Sequence, residues 1–282
     1  MAQVVFDGQH VQFLYDDRGG DVLLITFNEM DSFADGTNYW GEAPARKLNL
    51  SAIGVMTKAR NWYPEREMAL ALEQIRPLLN YKYIITYGFS QGAYGAIKYS
   101  RLLGATHALA FSPQWSIDPS EVAIFDKRFC MHFDEELNSS MAVTAGDLVD
   151  STFIFADPYD KRDYLHATRI AQTSNTAAVI PCFNLGHGTV RAISSANALN
   201  DILRACQDNG LGPAGMLRAI RTHKKNSFAY YFALGQRAIK FRHLTLSNNL
   251  YAKACAINGS HPYLVEWRAK LDKLSDELKR LV

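Results

Sequence analysis

The stretch Tyr83-Ile84-Ile85-Thr86-Tyr87-Gly88-Phe89-Ser90-Gln91-Gly92-Ala93-Tyr94-Gly95-Ala96 constrains this chain more than any other. Its β-branched and aromatic residues from 83 to 87 predict a buried strand. The pattern breaks at Gly-Phe-Ser-Gln-Gly and resumes with small residues suited to a closely packed helix. Strand, G-x-S-x-G and helix, in that order, are the parts of a nucleophile elbow, a turn that lifts one serine above the end of a parallel sheet. Gly88 and Gly92 flank Ser90 because side chains there would collide inside so tight a turn. Ser90 is therefore the candidate nucleophile.

The surrounding pattern supplies a sheet for that elbow. Residues 4–15 and 22–27 read as two or three strands separated by the turn Asp16-Asp17-Arg18-Gly19-Gly20. The run from 21 to 27 is continuously apolar, as in a strand covered on both faces. Further strands are expected over 48–56, 107–111, 152–156 and 177–183. Helices are expected over 65–79, 91–103, 162–173 and 189–207. Pro64 suits the first turn of the helix at 65–79, and Glu65 and Glu67 suit its positive end. Alternation of this kind predicts an α/β fold with a mostly parallel central sheet flanked by helices. Residues 112–150 have no clean period, so short helices forming a cap-like insertion beside the pocket are expected there.

From 210 onward strand signals stop, and four helices are expected over 216–223, 227–242, 246–258 and 263–281. Leu234-Gly235, Ser247, Tyr251 and Ala254 stand at the spacings of a tetratricopeptide helix pair, with Gly259 where that repeat usually has proline. The chain thus divides into a catalytic unit, 1–209, and an all-helical C-terminal extension, 210–282. The extension is expected either to pack on the first unit or to serve a protein partner or self-association.

Composition narrows the function classes. With 282 residues the chain can bury a large core. A formal charge of +2 gives no field suited to nucleic acid or a membrane surface. Clusters at Arg218, Arg221, Lys224 and Lys225 and at Arg237, Lys240 and Arg242 read as solvated helix faces. The four cysteines, Cys130, Cys182, Cys206 and Cys255, show neither zinc spacing nor a disulfide framework, and reduced thiols are expected. The first residues lack a signal-peptide pattern, and no run approaches the roughly 18 apolar residues of a membrane span. A cytoplasmic protein is expected. No metal site, phosphate loop or dinucleotide fingerprint appears, so no cofactor is expected.

A serine hydroxyl attacks only when a base takes its proton, and that base needs an acid to fix its tautomer. In chain order Ser, Asp, His, the sequence offers Gly88-Phe89-Ser90-Gln91-Gly92, then Phe155-Ala156-Asp157-Pro158-Tyr159-Asp160, then Leu185-Gly186-His187-Gly188. On these three motifs, residues 1 to about 209 resemble the α/β-hydrolase family. The resemblance implies that His187 is the base. The family's common spacing favours Asp160 as its acid, while Asp157 could form the turn that aims a carboxylate at His187; Asp163 is a further candidate. The unused aspartate would cap the following helix. The resemblance also implies an oxyanion hole made by the backbone N–H of Gln91 and that of Asn28 or Glu29, although Phe27-Asn28 stand where the family often has His-Gly. The expected activity is a serine hydrolase acting on an ester or thioester through an acyl-enzyme, with a small acyl ester, thioester or acylated sugar as substrate. Acyl transfer through the same triad is the alternative. A third reading is a scaffold working through the C-terminal helices.

Overall fold

The computed structural model describes residues 2–193, 195–208 and 212–280. Eight strands, β1 (Gln3–Asp7), β2 (Val11–Asp16), β3 (Val22–Phe27), β4 (Ser51–Thr57), β5 (Tyr83–Phe89), β6 (His107–Phe111), β7 (Thr152–Ala156) and β8 (Ala177–Pro181), form one sheet in the order β1-β2-β4-β3-β5-β6-β7-β8. β1 pairs antiparallel with β2, and β2 with β4; all the other pairings are parallel. Strand order reverses beside β3, the kind of place where open α/β sheets bind ligands at the carboxyl edge. The architecture is an α/β-hydrolase fold with a helical C-terminal region.

The strands β3, β4 and β7 are buried along their whole length because helices cover both sheet faces. One face carries α2 (Glu65–Ile75), α3 (Gln91–Lys98) and α6 (Lys161–Thr173), whose Met68, Ala96 and Ile170 pack with Ile25, Ile53 and Ile154. The opposite face carries α1 (Glu42–Lys47), α7 (Ala196–Gln207) and α8 (Gly212–His223), packed on Leu24, Ile85 and Phe155. Between β6 and β7 the chain forms only short helical pieces, including α4 (Pro119–Val122) and α5 (Glu135–Asn138).

Three remaining helices, α9 (Phe228–Lys240), α10 (Leu244–Ile257) and α11 (Tyr263–Lys279), build their own apolar cluster around Trp267. Gly235 and Ser247, singled out by their spacing, sit in that cluster. A Cβ on Gly235 would lie 1.8 Å from the Trp267 ring, and the indole N–H donates to Ser247 Oγ at 3.2 Å. The sheet and this cluster meet where Arg237 lies over the Tyr159 ring, 3.8 Å from its centroid. The expected division between 209 and 210 and the helix end at 281 lie outside the described residues. Among the described residues no helix is long and apolar enough to cross a membrane. All four cysteines are unpaired.

Three elements differ from the sequence pattern, each for a local reason. The helix expected over 91–103 stops at Lys98, because Ser100 Oγ and the Arg101 N–H both donate to the Asp147 carbonyl instead of the helical ladder. The helix expected over 189–207 is a short turn at Thr189–Ile193 followed by α7, which Ser195 caps by accepting from the Ala198 N–H at 3.2 Å. Helix α1 escapes the period test because Ala45 is its one buried residue.

Candidate active site

The elbow holds its serine by backbone alone. Ser90 has φ 54° and ψ −121°, outside the regions that L-residues ordinarily occupy. Such a conformation costs on the order of 1–3 kcal/mol and persists only where the surroundings dictate it. Here the surroundings are the glycines: a Cβ on Gly88 would lie 2.1 Å from the Gly92 carbonyl oxygen, and one on Gly92 would lie 2.3 Å from that of Phe27. Removing both side chains lets the start of α3 close against the ends of β3 and β5. The Ser90 N–H is fixed by the Phe111 carbonyl at 2.9 Å.

His187 comes from the loop after β8. Its Nε2 lies 2.9 Å from Ser90 Oγ, and its Nδ1 lies 2.6 Å from Asp163 Oδ2. The imidazole is 30 % exposed whereas Ser90 is 4 % exposed. The Phe89 and Phe129 rings flank it, with centroids 5.2 and 6.1 Å away. Ser112 Oγ and Thr189 Oγ1, both buried and 2.8 Å apart, tie the end of β6 to the residues after His187.

The carboxylate facing His187 is therefore Asp163, on the first turn of α6, and neither Asp157 nor Asp160 reaches it. Asp157 is 2 % exposed and committed to the backbone: Oδ2 accepts from the N–H groups of Leu185 at 2.8 Å and Gly186 at 2.7 Å, and Oδ1 from Tyr159 at 2.9 Å. Its task is to shape the loop that presents His187. Asp160 is the N-cap of α6 and accepts from the Asp163 N–H at 3.3 Å. One of the two alternatives thus caps the helix, as expected of the unused aspartate, and the cap orients the residue that meets the histidine.

Asp163 is 1 % exposed and its second oxygen is also occupied, since Oδ1 accepts from Arg128 Nη2 at 2.5 Å. Burial opposes ionisation of this carboxyl, but the hydrogen bond and charge of His187, with those of Arg128, outweigh it and hold it below the usual carboxylate range. The row continues inward. Arg128 also binds Asp126 through Nε at 3.0 Å and Nη2 at 2.6 Å, and His166 Nε2 lies 3.4 Å from Asp126 Oδ2. His166 Nδ1 accepts from the Trp115 N–H at 3.0 Å, which places the ring proton of a neutral imidazole on Nε2, toward Asp126.

The candidate oxyanion donors separate. The Asn28 N–H donates to the Val55 carbonyl at 3.2 Å and is not free, contrary to one of the expected positions. Among the described residues the backbone N–H groups of Glu29 and Gln91 have no acceptor. Asn28 instead fixes the loop with its side chain, donating to Thr57 Oγ1 at 2.9 Å and accepting from the Thr57 N–H at 2.8 Å. Tyr63 reinforces it by donating to the Asn28 carbonyl at 2.6 Å. Burial, then the charge of Asp31, pushes the Glu29 carboxyl up against the opposing fields of Arg191 and His187.

The residues missed in the sequence are Arg128 and Tyr63. Arg128 lies in the segment without a period, and its only local signal is Asp126 two residues before it. Tyr63 follows Trp62 in a rare pair of positive φ values, 51° and 56°, that nothing in Asn-Trp-Tyr-Pro announces.

Neither a family model nor a curated protein matches the sequence. Solved structures are similar to part of the chain. The capsule O-acetyltransferase of Neisseria meningitidis serogroup A is 14 % identical, over 72 % of this chain and 93 % of its own, with a TM-score of 0.48. The Pyrococcus furiosus esterase Pf2001 is 16 % identical over 74 % of this chain and 90 % of its own, TM-score 0.48. The esterase EstE5 is 12 % identical over 80 % and 84 %, TM-score 0.45. These structural neighbours are esterases and an O-acetyltransferase.

Proposed function

We propose that this protein is a serine hydrolase that cleaves an ester or thioester through Ser90, His187 and Asp163. The observation that carries the reading is the unbroken pair of hydrogen bonds from Ser90 Oγ to His187 Nε2 and from His187 Nδ1 to Asp163, beneath a serine held at positive φ. Asp163 fixes the tautomer with the proton on Nδ1, leaving Nε2 as acceptor for the serine proton. Ser90 Oγ then bonds to the acyl carbon as its proton passes to His187. The negative charge moves to the carbonyl oxygen, toward the N–H groups of Gln91 and Glu29, each worth about 3 kcal/mol in such a site. Collapse expels the alcohol or thiol, which takes the proton from His187 and leaves an acyl-Ser90. Water repeats the sequence in reverse roles, giving the acid and the free enzyme.

The substrate class is a small acyl ester or thioester, whose identity a panel of acyl esters, thioesters and acetylated sugars would sort. An acceptor hydroxyl in place of water would turn the same intermediate into acyl transfer, seen as transacylation in that panel. The test of the mechanism is a fluorophosphonate probe. Wild-type protein is expected to label at Ser90 and Ser90→Ala not to label; folded wild-type protein that stays unlabelled would remove the hydrolase reading.

A further inference from the structure

Beyond the row of Ser90, His187 and Asp163 lies a second concavity that the reaction does not use. It has a volume of about 360 Å³ and is lined by Arg191, Ser227, Phe228, Phe232, His261 and Tyr263 among others, at the junction between the His187 loop and the helices α9 and α11. Its walls are aromatic: Phe228 stacks on His261 with centroids 3.8 Å apart, and Phe232 lies 5.3 Å from Tyr263. Its polar side chains, Arg191, Ser227 and His261, can all donate.

Four features give it that character. The Arg191 guanidinium has no hydrogen bond and no carboxylate within ion-pair distance among the described residues. Ser227 is 6 % exposed, yet its hydroxyl has no partner among them either. As the N-cap of α9 it would ordinarily accept from a first-turn N–H, and it makes no such bond. The first turn of α9 carries no acidic residue to complement its positive end. His261 Nδ1 accepts from the Tyr263 N–H at 3.3 Å, which leaves Nε2 as the ring's donor.

Arg191 also connects the concavity to the reaction. A Cβ on Gly188 would lie 3.1 Å from Arg191 Cδ and 3.5 Å from Cζ, so the side chain runs across the residue that follows His187. Its charge is felt at Glu29, beside the free N–H on the other rim of the site. A guanidinium outside any ion pair, a serine hydroxyl without a hydrogen bond and a helix start meet on aromatic walls, and the guanidinium packs on the residue next to the catalytic histidine.

We infer that this pocket is an anion subsite of the active site, which takes the carboxylate or phosphoryl group of an acyl ester or thioester whose carbonyl lies at Ser90. The inference rests on the hydrolase reading for its link to Ser90, and on the pocket itself for its charge preference. It gives the C-terminal helices a part in substrate selection, since α9 and α11 build two of the walls.

The test compares, on the full chain, p-nitrophenyl monoesters of linear dicarboxylic acids with their neutral methyl-capped counterparts of equal length. Wild-type protein is expected to favour the charged ester in kcat/KM. In Arg191→Ala the ratio of charged to neutral is expected to fall by about 10- to 100-fold, mainly through KM, the range for losing one charge-assisted contact. Ser227→Ala is expected to move it the same way by less. Inorganic pyrophosphate and inorganic phosphate are expected to compete with the charged ester. No charge preference in the wild type, or a ratio unchanged in Arg191→Ala, would overturn the inference. Calorimetry with pyrophosphate separates its failure from that of the mechanism. Binding that depends on Arg191, in a protein whose Ser90 does not label with fluorophosphonate, upholds the anion pocket while the hydrolase reading falls. Absence of such binding, with Ser90 labelled, overturns the pocket alone.

Discussion

Ser90 and Asp163 lie on opposite sides of His187, and the molecule holds them by different means. Ser90 is positioned by backbone: a positive φ, two glycines that admit neighbouring chain, and an N–H bound to the Phe111 carbonyl. Asp163 is positioned by side chains drawn from three separate segments: Asp160 through the helix cap, Arg128 from the irregular stretch between β6 and β7, and His187 from the loop after β8. The first end can be specified by five consecutive residues. The second exists only once distant segments have met. The difference teaches which parts of such a site tolerate relocation, since a carboxylate can arrive from several places while the elbow cannot be built another way.

The sharpest way to break this comparison is to test the three aspartates against one another. Asp163→Asn is expected to lower kcat for an activated ester by about 10⁴-fold, the size seen when a triad acid becomes an amide and the histidine loses its tautomer. Asp160→Asn, which retains a capping side chain, is expected to cost less than about 10-fold, because Asn caps nearly as well as Asp. Asp157→Asn is expected to fall between them, since it weakens two contacts that shape the His187 loop. A steady-state comparison at one pH reads all three, and a larger loss for Asp160→Asn than for Asp163→Asn would reverse the assignment.

The legibility of the site in the sequence follows the same division. The elbow, its strand and its helix could be read because glycine and small-residue requirements are local and leave a fixed spacing. The sheet could be read because buried parallel strands are short continuous apolar runs, as at 22–27 and 152–156. His187 could be read because glycines bracket it. Spacing favours Asp160, with Asp157 next, over the Asp163 that meets His187, because all three carboxylates lie within seven residues and their roles depend on which way α6 turns after its cap. Asn28 and Glu29 could not be told apart as donors, because what separates them is the bond of the Asn28 N–H to the Val55 carbonyl, a contact between distant segments. Arg128 was invisible because its partners, Asp126 aside, are distant in the chain.

A smaller effect sharpens the side-chain end. Asp126 is held below the usual carboxylate range: burial opposes this, and the contacts with His166 and Arg128 outweigh it; Asp163 is held down likewise. For a carboxyl whose folded pKa is depressed, the stability contribution is whole above the unfolded value of 3.8 and is lost as pH falls through the folded value. Arg128→Met removes the shared cation, raises both folded pKa values, and so is expected to move acid unfolding to higher pH while the neutral-pH fold persists. Circular dichroism from pH 6 to pH 2 reads the shift. Coincident curves for the variant and the wild type would show that Arg128 does not hold these carboxyls ionised.

The central claim, that Asp163 is the carboxylate bonded to His187, has a direct observable that does not depend on turnover. In protein labelled with ¹⁵N-histidine, a strongly hydrogen-bonded Nδ1 proton gives a far-downfield proton resonance. The account predicts that this resonance is present in the wild type and in Asp160→Asn and is lost in Asp163→Asn. Its persistence in Asp163→Asn, or its loss in Asp160→Asn alone, would contradict the account.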